Sequence, residues 1–379
     1  MPSAPAPSPQ DREARIAELR RRRHARLRWL ALRSALGLAA LAIGVLLLGY
    51  WLLTTVAGRD VLLAQIVARL PVGTTLSWEA AEGPASGPLI LRGVRFRHGE
   101  TTFTAAEVVL DPALRPLLGR RLRLDALRVR DAELRLAPSD EPFELPRWPE
   151  SLPAIAPPLA LQADDIRIDR LRVIREGQPL VVIRSLRGGL LAEHGRLHVE
   201  RLRIDSDRGR FALHGDYVPA EHYRMDLTAT AVLPAPPART PPRLGLIARG
   251  DASRLDVGIG GALPGPLRAQ LVLRPGRAPD APRWSLRLRG EAFDPAVLSG
   301  GAATDAPPWR LRFDADGDGG AARVQGEAQR GEQVLAVRPS RLRLEEQRLQ
   351  LEPLQLALLD GVASVRGWAD FRDPQQRRF

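Results

Sequence analysis

The sequence lacks cysteine and lysine altogether, and aromatic residues account for 5% of its 379 residues. Without cysteine, both a disulfide framework and thiolate chemistry are excluded. Few aromatic side chains leave little material for the stacking platforms that bind single-stranded nucleic acid. All 56 basic residues are arginines, which is more typical of a GC-rich coding bias than of a physical demand.

The chain is basic overall, with a formal net charge of +12. About half of this excess lies in the N-terminal tail, where nine arginines face three acids. The nine are Arg12, Arg15, Arg20, Arg21, Arg22, Arg23, Arg26, Arg28 and Arg33. Farther along, arginines are interspersed singly with acids, which is not the clustered pattern of a nucleic-acid surface. We therefore expect no nucleic-acid partner.

No charged residue occurs over 34–58, a stretch that would reach roughly 37 Å as a helix. This length predicts a transmembrane anchor. The alternatives are a buried helix of a soluble domain, which rarely stays uncharged for so long, and a cleaved signal peptide. By the positive-inside rule, the basic tail 1–33 stays in the cytoplasm and the bulk of the chain is delivered across the inner membrane to the periplasm.

After the anchor, residues 59–72 predict a short amphipathic helix, and from residue 73 the hydrophobic period changes from 3.6 to 2. Alternating apolar and polar residues predict a first β segment over 73–137 and a continuing β region over 159–379. Between them, the proline-rich stretch 138–158 predicts an extended loop, because proline cannot donate to a strand ladder. Within the first β segment, Asp111–Gly119 predicts a helical turn.

One eight-residue pattern occurs three times, as LRLDALRV from Leu122, IRIDRLRV from Ile166 and LHVERLRI from Leu197. Apolar residues occupy the first, third, sixth and eighth positions, so the inward face changes phase after the acid at the fourth. A flat strand cannot change phase in this way. Two short strands joined at a bulge or corner can, and such corners would curve the sheet strongly.

Two further segments, 202–215 and 354–367, share the glycine spacing of β-hairpins. Repeats of this kind without a fixed period indicate a sheet that grows by adding hairpins end to end. We therefore expect a mainly β protein, with an N-terminal transmembrane helix followed by an extended, strongly curved and solenoid-like sheet that forms a groove.

The segments TTVAGRDVLLAQIVARLPVG (Thr54–Gly73) and GPLILRGVRFRHGETTFTAAEVVL (Gly87–Leu110) carry a family resemblance. Together with the arginine-rich tail and the strands up to Leu136, they resemble the N-terminal part of the TamB family, the translocation and assembly module subunits of the AsmA-like group. The resemblance is densest over 54–136 and more diffuse afterwards.

This resemblance implies a β-taco groove that bridges the inner and outer membranes, conducts phospholipid and engages an outer-membrane barrel partner of the TamA type through a C-terminal domain. The sequence stops at Phe379, short of such a domain. We therefore expect a truncated form, or a remainder on another chain, and binding to the barrel partner is in doubt.

The apolar positions of the three repeats are the residues that we expect to line the groove and contact lipid. They are Leu122, Leu124, Leu127, Val129, Ile166, Ile168, Leu171, Val173, Leu197, Val199, Leu202 and Ile204.

Motifs for metal or catalytic chemistry are weak. DADGDGG (Asp314–Gly320) begins like a calcium loop, but Gln325 stands where the bidentate acid belongs, so we expect a hairpin turn. His194 and His198 lack the context of a zinc site. GIGGALPG (Gly258–Gly265) lacks the spacing of a dinucleotide site and predicts a loop. We expect no cofactor, no metal and no enzyme.

Two functions fit these observations. The first is a lipid conduit toward the outer membrane, whose apolar face stays open. The second is a structural scaffold or chaperone for outer-membrane protein assembly or secretion, whose apolar face is closed as a core. The amount of apolar surface left uncovered separates them.

Overall fold

The computed structural model describes the chain in several ranges. They are residues 38–39, 41–113, 116, 121–138, 148–149, 152–157, 160–235, 240–278, 281–295, 307–345, 348–358 and 361–370. The chain divides into two compact units, Met1–Ile66 and Val67–Phe379. The basic tail 1–33 lies outside the described residues.

Two helices open the described chain, α1 over Leu41–Thr54 and α2 over Val56–Ala68, with a bend of 90° at the break between them. The Thr55 hydroxyl donates to the Trp51 carbonyl at 2.8 Å and accepts from the Gly58 amide at 3.0 Å. Such side-chain bonds to the backbone bend a helix, so the break comes at Thr55, inside the predicted span. No single helix among the described residues has the length and hydropathy of a membrane span, whereas α1 and α2 together do.

In the part of the chain that the structure describes, nineteen strands form one large sheet. They are β1 Thr74–Ser77, β2 Ala80–Glu82, β3 Leu89–His98, β4 Thr101–Ala113, β5 Arg121–Leu136, β6 Ala160–Arg175, β7 Gln178–Glu193, β8 Arg196–Ser206, β9 Gly209–Val218, β10 Arg224–Val232, β11 Arg243–Gly250, β12 Leu255–Ala262, β13 Pro266–Ala278, β14 Ala281–Phe293, β15 Trp309–Asp318, β16 Ala321–Arg330, β17 Gln333–Glu345, β18 Arg348–Leu358 and β19 Gly361–Asp370. A short 3₁₀ turn, Pro219–Glu221, joins β9 to β10.

Strands pair in chain order from β3 to β19, and β1 and β2 both pair with β3. The sheet is open, since β19 pairs with β18 alone among the described strands. One pair, β5 with β6, is parallel, whereas the other described pairs are antiparallel. Parallel neighbours cannot be joined by a tight turn, so the proline-rich segment after Leu136 crosses over to reach Ala160.

Each of the three repeats lies within one continuous strand, β5, β6 or β8, and not in two short strands. The phase changes at bulges, as the register shift between Val199 and Leu202 shows. Arg170 and Arg201, directly after the acids of the second and third repeats, have positive φ values of 59° and 46°. A bulge bends its strand and increases the local twist, so the sheet is curved at these positions.

An ion pair stabilises one bend across β5 and β6. The Arg170 guanidinium donates to both carboxylate oxygens of Asp131, with Nη2 at 2.7 Å from Oδ2. Asp131 itself has a positive φ of 50°. The hydrogen bonds from Arg170 lower the pKa of the Asp131 carboxyl below its ordinary value of 3.8.

Some of the other local predictions are confirmed and others are wrong. The two predicted hairpins are confirmed as β8–β9 and β18–β19. The predicted helical turn over Asp111–Gly119 is wrong over its first three residues, which end strand β4 as partners of β5, whereas Pro116, its one other described residue, lies in a 3₁₀ turn. The predicted glycine-rich loop is also wrong, because Gly258–Ala262 belongs to β12, where ladder bonds on both sides hold the glycines extended.

Candidate functional site

One face of the sheet carries an unbroken row of apolar or glycine residues, one from each strand from β2 to β19. Directly paired residues of neighbouring strands lie on the same face, so the register defines this row. In order, the row is Ala81, Leu91, Val108, Val129, Ile168, Leu186, Ile204, Phe211, Ala231, Leu244, Gly261, Leu267, Gly290, Leu311, Ala328, Leu335, Leu358 and Gly361. We call this side of the sheet the apolar face.

All twelve residues that the repeats predict as groove lining lie on the apolar face. Leu124, Val129, Ile166 and Val199 are buried, and the other eight are half-buried. Val129 pairs with Ile168, which in turn pairs with Leu186 on β7. The arginines between them, such as Arg128 and Arg167, are exposed on the opposite side, which we call the polar face.

The repeats missed most of the apolar face, because strand β7 and strands β9 to β19 contribute to it without sharing the eight-residue pattern. Leu186 and Phe211 are examples. Plain alternation of apolar and polar residues was the available signal, and it identifies these positions once the strand boundaries are known.

The first part of the apolar face forms a packed cluster across strands β4 to β7. Leu124, Ala163 and Ile166 are buried there, 2% to 8% exposed. Half-buried neighbours surround them, among them Leu110 of β4 and Leu190 of β7. Side chains of adjacent strands therefore cover one another on this part of the apolar face.

The middle of the apolar face is covered by the crossover itself. Its described residues, 148–149 and 152–157, form what we call the strap, and Trp148, Leu152 and Ile155 pack against a cluster that includes Met225 and Leu255. The proline-rich segment is therefore docked on strands that follow it by 40 to more than 100 residues in the sequence.

Three hydrogen bonds fix the strap. The Trp148 indole Nε1 donates to the Ala252 carbonyl at 2.9 Å, and the Tyr217 hydroxyl donates to the Pro153 carbonyl at 2.7 Å. The Gly195 amide donates to the Ile155 carbonyl at 2.7 Å. Burial beneath the strap raises the pKa of the Tyr217 hydroxyl above its ordinary value, so the hydroxyl stays protonated and able to donate.

The last part of the apolar face is more exposed. Leu358 and Val365 are 48% and 43% exposed, whereas Leu91 and Val129 near the start of the sheet are each 6% exposed. Apolar side chains of this size in contact with water are able to receive an apolar partner.

The weak chemical motifs occupy ordinary strand positions. Asp314 and Asp318 of the calcium-like motif lie on β15, and the predicted hairpin turn to β16 follows them. Both carboxylate oxygens of Asp314 accept hydrogen bonds from Arg289 at 2.9 Å. His198 Nδ1 lies 3.0 Å from Asp216 Oδ1. Within the described ranges, no group of three or more potential ligands is placed to hold a metal ion.

Comparison with protein families gives a match to the family described as TamB, N-terminal domain, over residues 139–376. The chain belongs to the TamB family. The match begins where the sequence resemblance became diffuse, so the β region after residue 138, and not the segment 54–136, carries the family assignment. No curated protein and no solved structure gave a significant match to this chain.

Proposed function

We propose that this TamB-family protein is an inner-membrane-anchored periplasmic bridge that moves phospholipid along the apolar face toward the outer membrane. The observation that carries the proposal is the unbroken apolar row across the open sheet. Membership of the TamB family and the large curved sheet fit a periplasmic bridge-like protein, a component of transport or assembly.

The row suits acyl chains for an energetic reason. Each CH₂ group that leaves water for an apolar surface gains about 0.8 kcal/mol. A polar residue in the row would remove part of that gain at one strand and create a barrier between neighbouring strands. Because every position from Ala81 to Gly361 is apolar or glycine, an acyl chain can pass from strand to strand without such a barrier.

The proposal includes the membrane topology expected from the sequence. The uncharged stretch 34–58 anchors the chain in a single pass, the tail 1–33 stays cytoplasmic, and the sheet is periplasmic. The partners that follow are the inner membrane and phospholipid, and an outer-membrane barrel of the TamA type where the C-terminal domain implied by the resemblance is present. A reporter fused after Leu70 is expected to be active outside the cytoplasm, and activity in the cytoplasm would contradict this topology.

The strap favours a second candidate function, a scaffold or chaperone for outer-membrane proteins. Trp148, Leu152 and Ile155 of the strap pack on the apolar face, so this face receives polypeptide through spaced apolar side chains. A client protein in an extended conformation has the same chemistry. Under this function, the exposed strands at the end of the sheet would receive polypeptide and not lipid.

Photo-crosslinking from the apolar face separates the two functions. A photoreactive residue at Ile168 or Leu358 is expected to capture phospholipid in cells, and the same residue at Arg167, on the polar face, provides the matched control. Leu186→Glu places a charge beside Ile168 and should reduce capture at 168, with circular dichroism confirming the fold.

Capture of polypeptide alone at both apolar positions would favour the scaffold. Equal lipid capture at Ile168 and Arg167 would contradict the conduit. Unfolding by Ile168→Arg would show that this part of the face is a closed core, whereas a folded variant agrees with a groove in which the arginine reaches the rim.

A further inference from the structure

The polar face contains a cavity of its own, about 870 Å³ in volume, over strands β10 to β14. Ile247, Gly258 and Gln270 line it together with Arg268 and Arg287. The register places Ile247, Gly258, Gln270 and Arg287 side by side on one row across the sheet. We call this cavity the outer trough. Cavities of this volume are typical of small-molecule sites.

The residues around the outer trough carry more positive than negative charge. Three of its charged residues have partners: Arg249 pairs with Asp226, Arg289 with Asp314 and Asp256 with Arg274, at 2.9 to 3.0 Å. Arg268 and Arg287 are exposed and have no polar partner among the described residues. Among the described residues, the arginines around the trough therefore outnumber the acids by two. Arg287 lies directly opposite Asp314, which is already bound by Arg289, and Arg268 lies directly opposite Arg289. Like charges in directly opposed positions destabilise a sheet unless an anion lies between them.

An apolar element lies beside these charges. Ile247 is 51% exposed on a face whose other residues are mainly polar. A side-chain carbon added at Gly258 or Gly260 would meet no atom within 4 Å, so packing within this chain does not require glycine there. Glycine inside a strand leaves the backbone open to a close approach by a ligand.

We propose that the outer trough binds an anionic amphiphile, one whose phosphate-bearing head carries a net negative charge. Strands β11 to β13 are bonded on both edges, so their backbone groups cannot receive another strand. The available donors are the guanidinium groups of Arg268 and Arg287 and the amide of Gln270. Guanidinium groups bind phosphate oxygens in bidentate geometry, and the tetrahedral phosphate offers oxygens to two arginines at once. Ile247 and the bare glycines then contact the apolar portion of the same molecule.

The outer trough and the apolar face lie on opposite sides of the sheet, so the two proposals fail separately. Lipid capture at Ile168 without capture at the outer trough contradicts this inference alone. Capture at the outer trough without capture at Ile168 contradicts the conduit alone.

The test uses the full chain in phosphatidylcholine nanodiscs, with a photoreactive residue at Ile247 and radiolabelled dihexanoyl phosphatidylglycerol as the probe. Removing both free guanidiniums with Arg268→Gln/Arg287→Gln is expected to lower capture about tenfold or more. The matched control is Arg187→Gln/Arg203→Gln, which removes two exposed arginines from directly opposed positions on the polar face outside the trough. Gly258→Leu fills the open space and should lower capture while circular dichroism stays unchanged.

The proposal stands if the trough variants lose capture, the control keeps it, and excess dihexanoyl phosphatidylcholine or inorganic phosphate does not displace the probe. Equal loss in both double variants, or equal capture of the phosphatidylcholine probe, would overturn it. Displacement by inorganic phosphate would show a site for the free anion and not for an amphiphile. Absence of capture from Ile247 in the parent protein would also overturn it.

Discussion

Strands β3 to β8 and strands β15 to β19 present the same apolar face, but they cover it differently. Leu91 and Val129 are 6% exposed in the first region, and Leu358 and Val365 are 48% and 43% exposed in the last. Alternation of residues therefore decides which side of a strand is apolar. The packing of neighbouring strands and of the strap decides whether that side is dry. Burial in the first region stabilises the sheet, whereas the last region leaves its apolar side chains in contact with water.

The largest expected difference comes from a charge introduced into each region. Ile166→Asp places an unpaired carboxylate in a buried cluster, where it should lower the free energy of unfolding by roughly 3 kcal/mol or more. Val365→Asp, at a 43% exposed position, should change it by less than about 0.5 kcal/mol. Denaturant unfolding of both variants measures the contrast, and equal effects would show that the two regions are covered alike.

A smaller effect is expected at the strap. Trp148→Ala removes a half-buried side chain and its hydrogen bond to Ala252, and should lower the free energy of unfolding by about 2 kcal/mol. Hydrogen exchange should also quicken at the Gly195 amide, which the strap carbonyl of Ile155 protects. The Leu246 amide, within the ladder, serves as the internal control. Unchanged exchange at Gly195 would mean that the strap does not depend on Trp148.

The Tyr217 hydroxyl tests one hydrogen bond of the strap by itself. Tyr217→Phe leaves the Pro153 carbonyl without this donor and should lower the free energy of unfolding by about 1 kcal/mol. Tyr223→Phe is the matched control, because no hydrogen bond of the Tyr223 hydroxyl occurs within the described residues. Equal unfolding free energies for the two variants would show that the bond adds no net stability.

The smallest effect concerns the bend between β5 and β6. Arg170 lowers the pKa of Asp131, so the stabilisation is present above the ordinary aspartate pKa of 3.8 and is lost as the pH falls through the lowered value. Asp131→Asn should therefore lower the thermal midpoint slightly near pH 7, and the difference from the parent should vanish in strong acid. Asp169→Asn is the neighbouring control and should change stability by a few tenths of a kcal/mol. A loss above about 2 kcal/mol at Asp169 would mean that this carboxylate is buried or paired.

The sequence predicted the mainly β architecture and the two hairpins because both depend on local patterns. The phase change in the three repeats was a local signal too, and it placed Leu124, Ile166 and Val199 on the same face. The expected pair of short strands was wrong because a bulge lets the ladder continue through the bend, as in β6.

The covering of the apolar face could not be predicted in the same way. The proline-rich segment has no hydrophobic period, and its position depends on contacts such as that of Trp148 with Ala252, 104 residues away. Gly258–Ala262 is a strand because its neighbours on both sides supply ladder partners, a tertiary effect that glycine composition does not reveal. The outer trough likewise requires the register of β11 to β14, since Arg268 and Arg287, which have no polar partner within the described ranges, are unremarkable in the sequence.

Because antiparallel hairpins follow one another after the crossover, the length of the sheet depends on the number of hairpins. Neighbouring strands lie about 4.8 Å apart, so each inserted hairpin would lengthen the ladder by about 10 Å while leaving the pairing of earlier strands intact. The parallel pair β5–β6 is the exception, because an insertion there would lie next to the crossover, whose strap packs on the apolar face. We therefore expect relatives that bridge wider gaps to differ in the number of hairpins after β6 and to keep the arrangement before it.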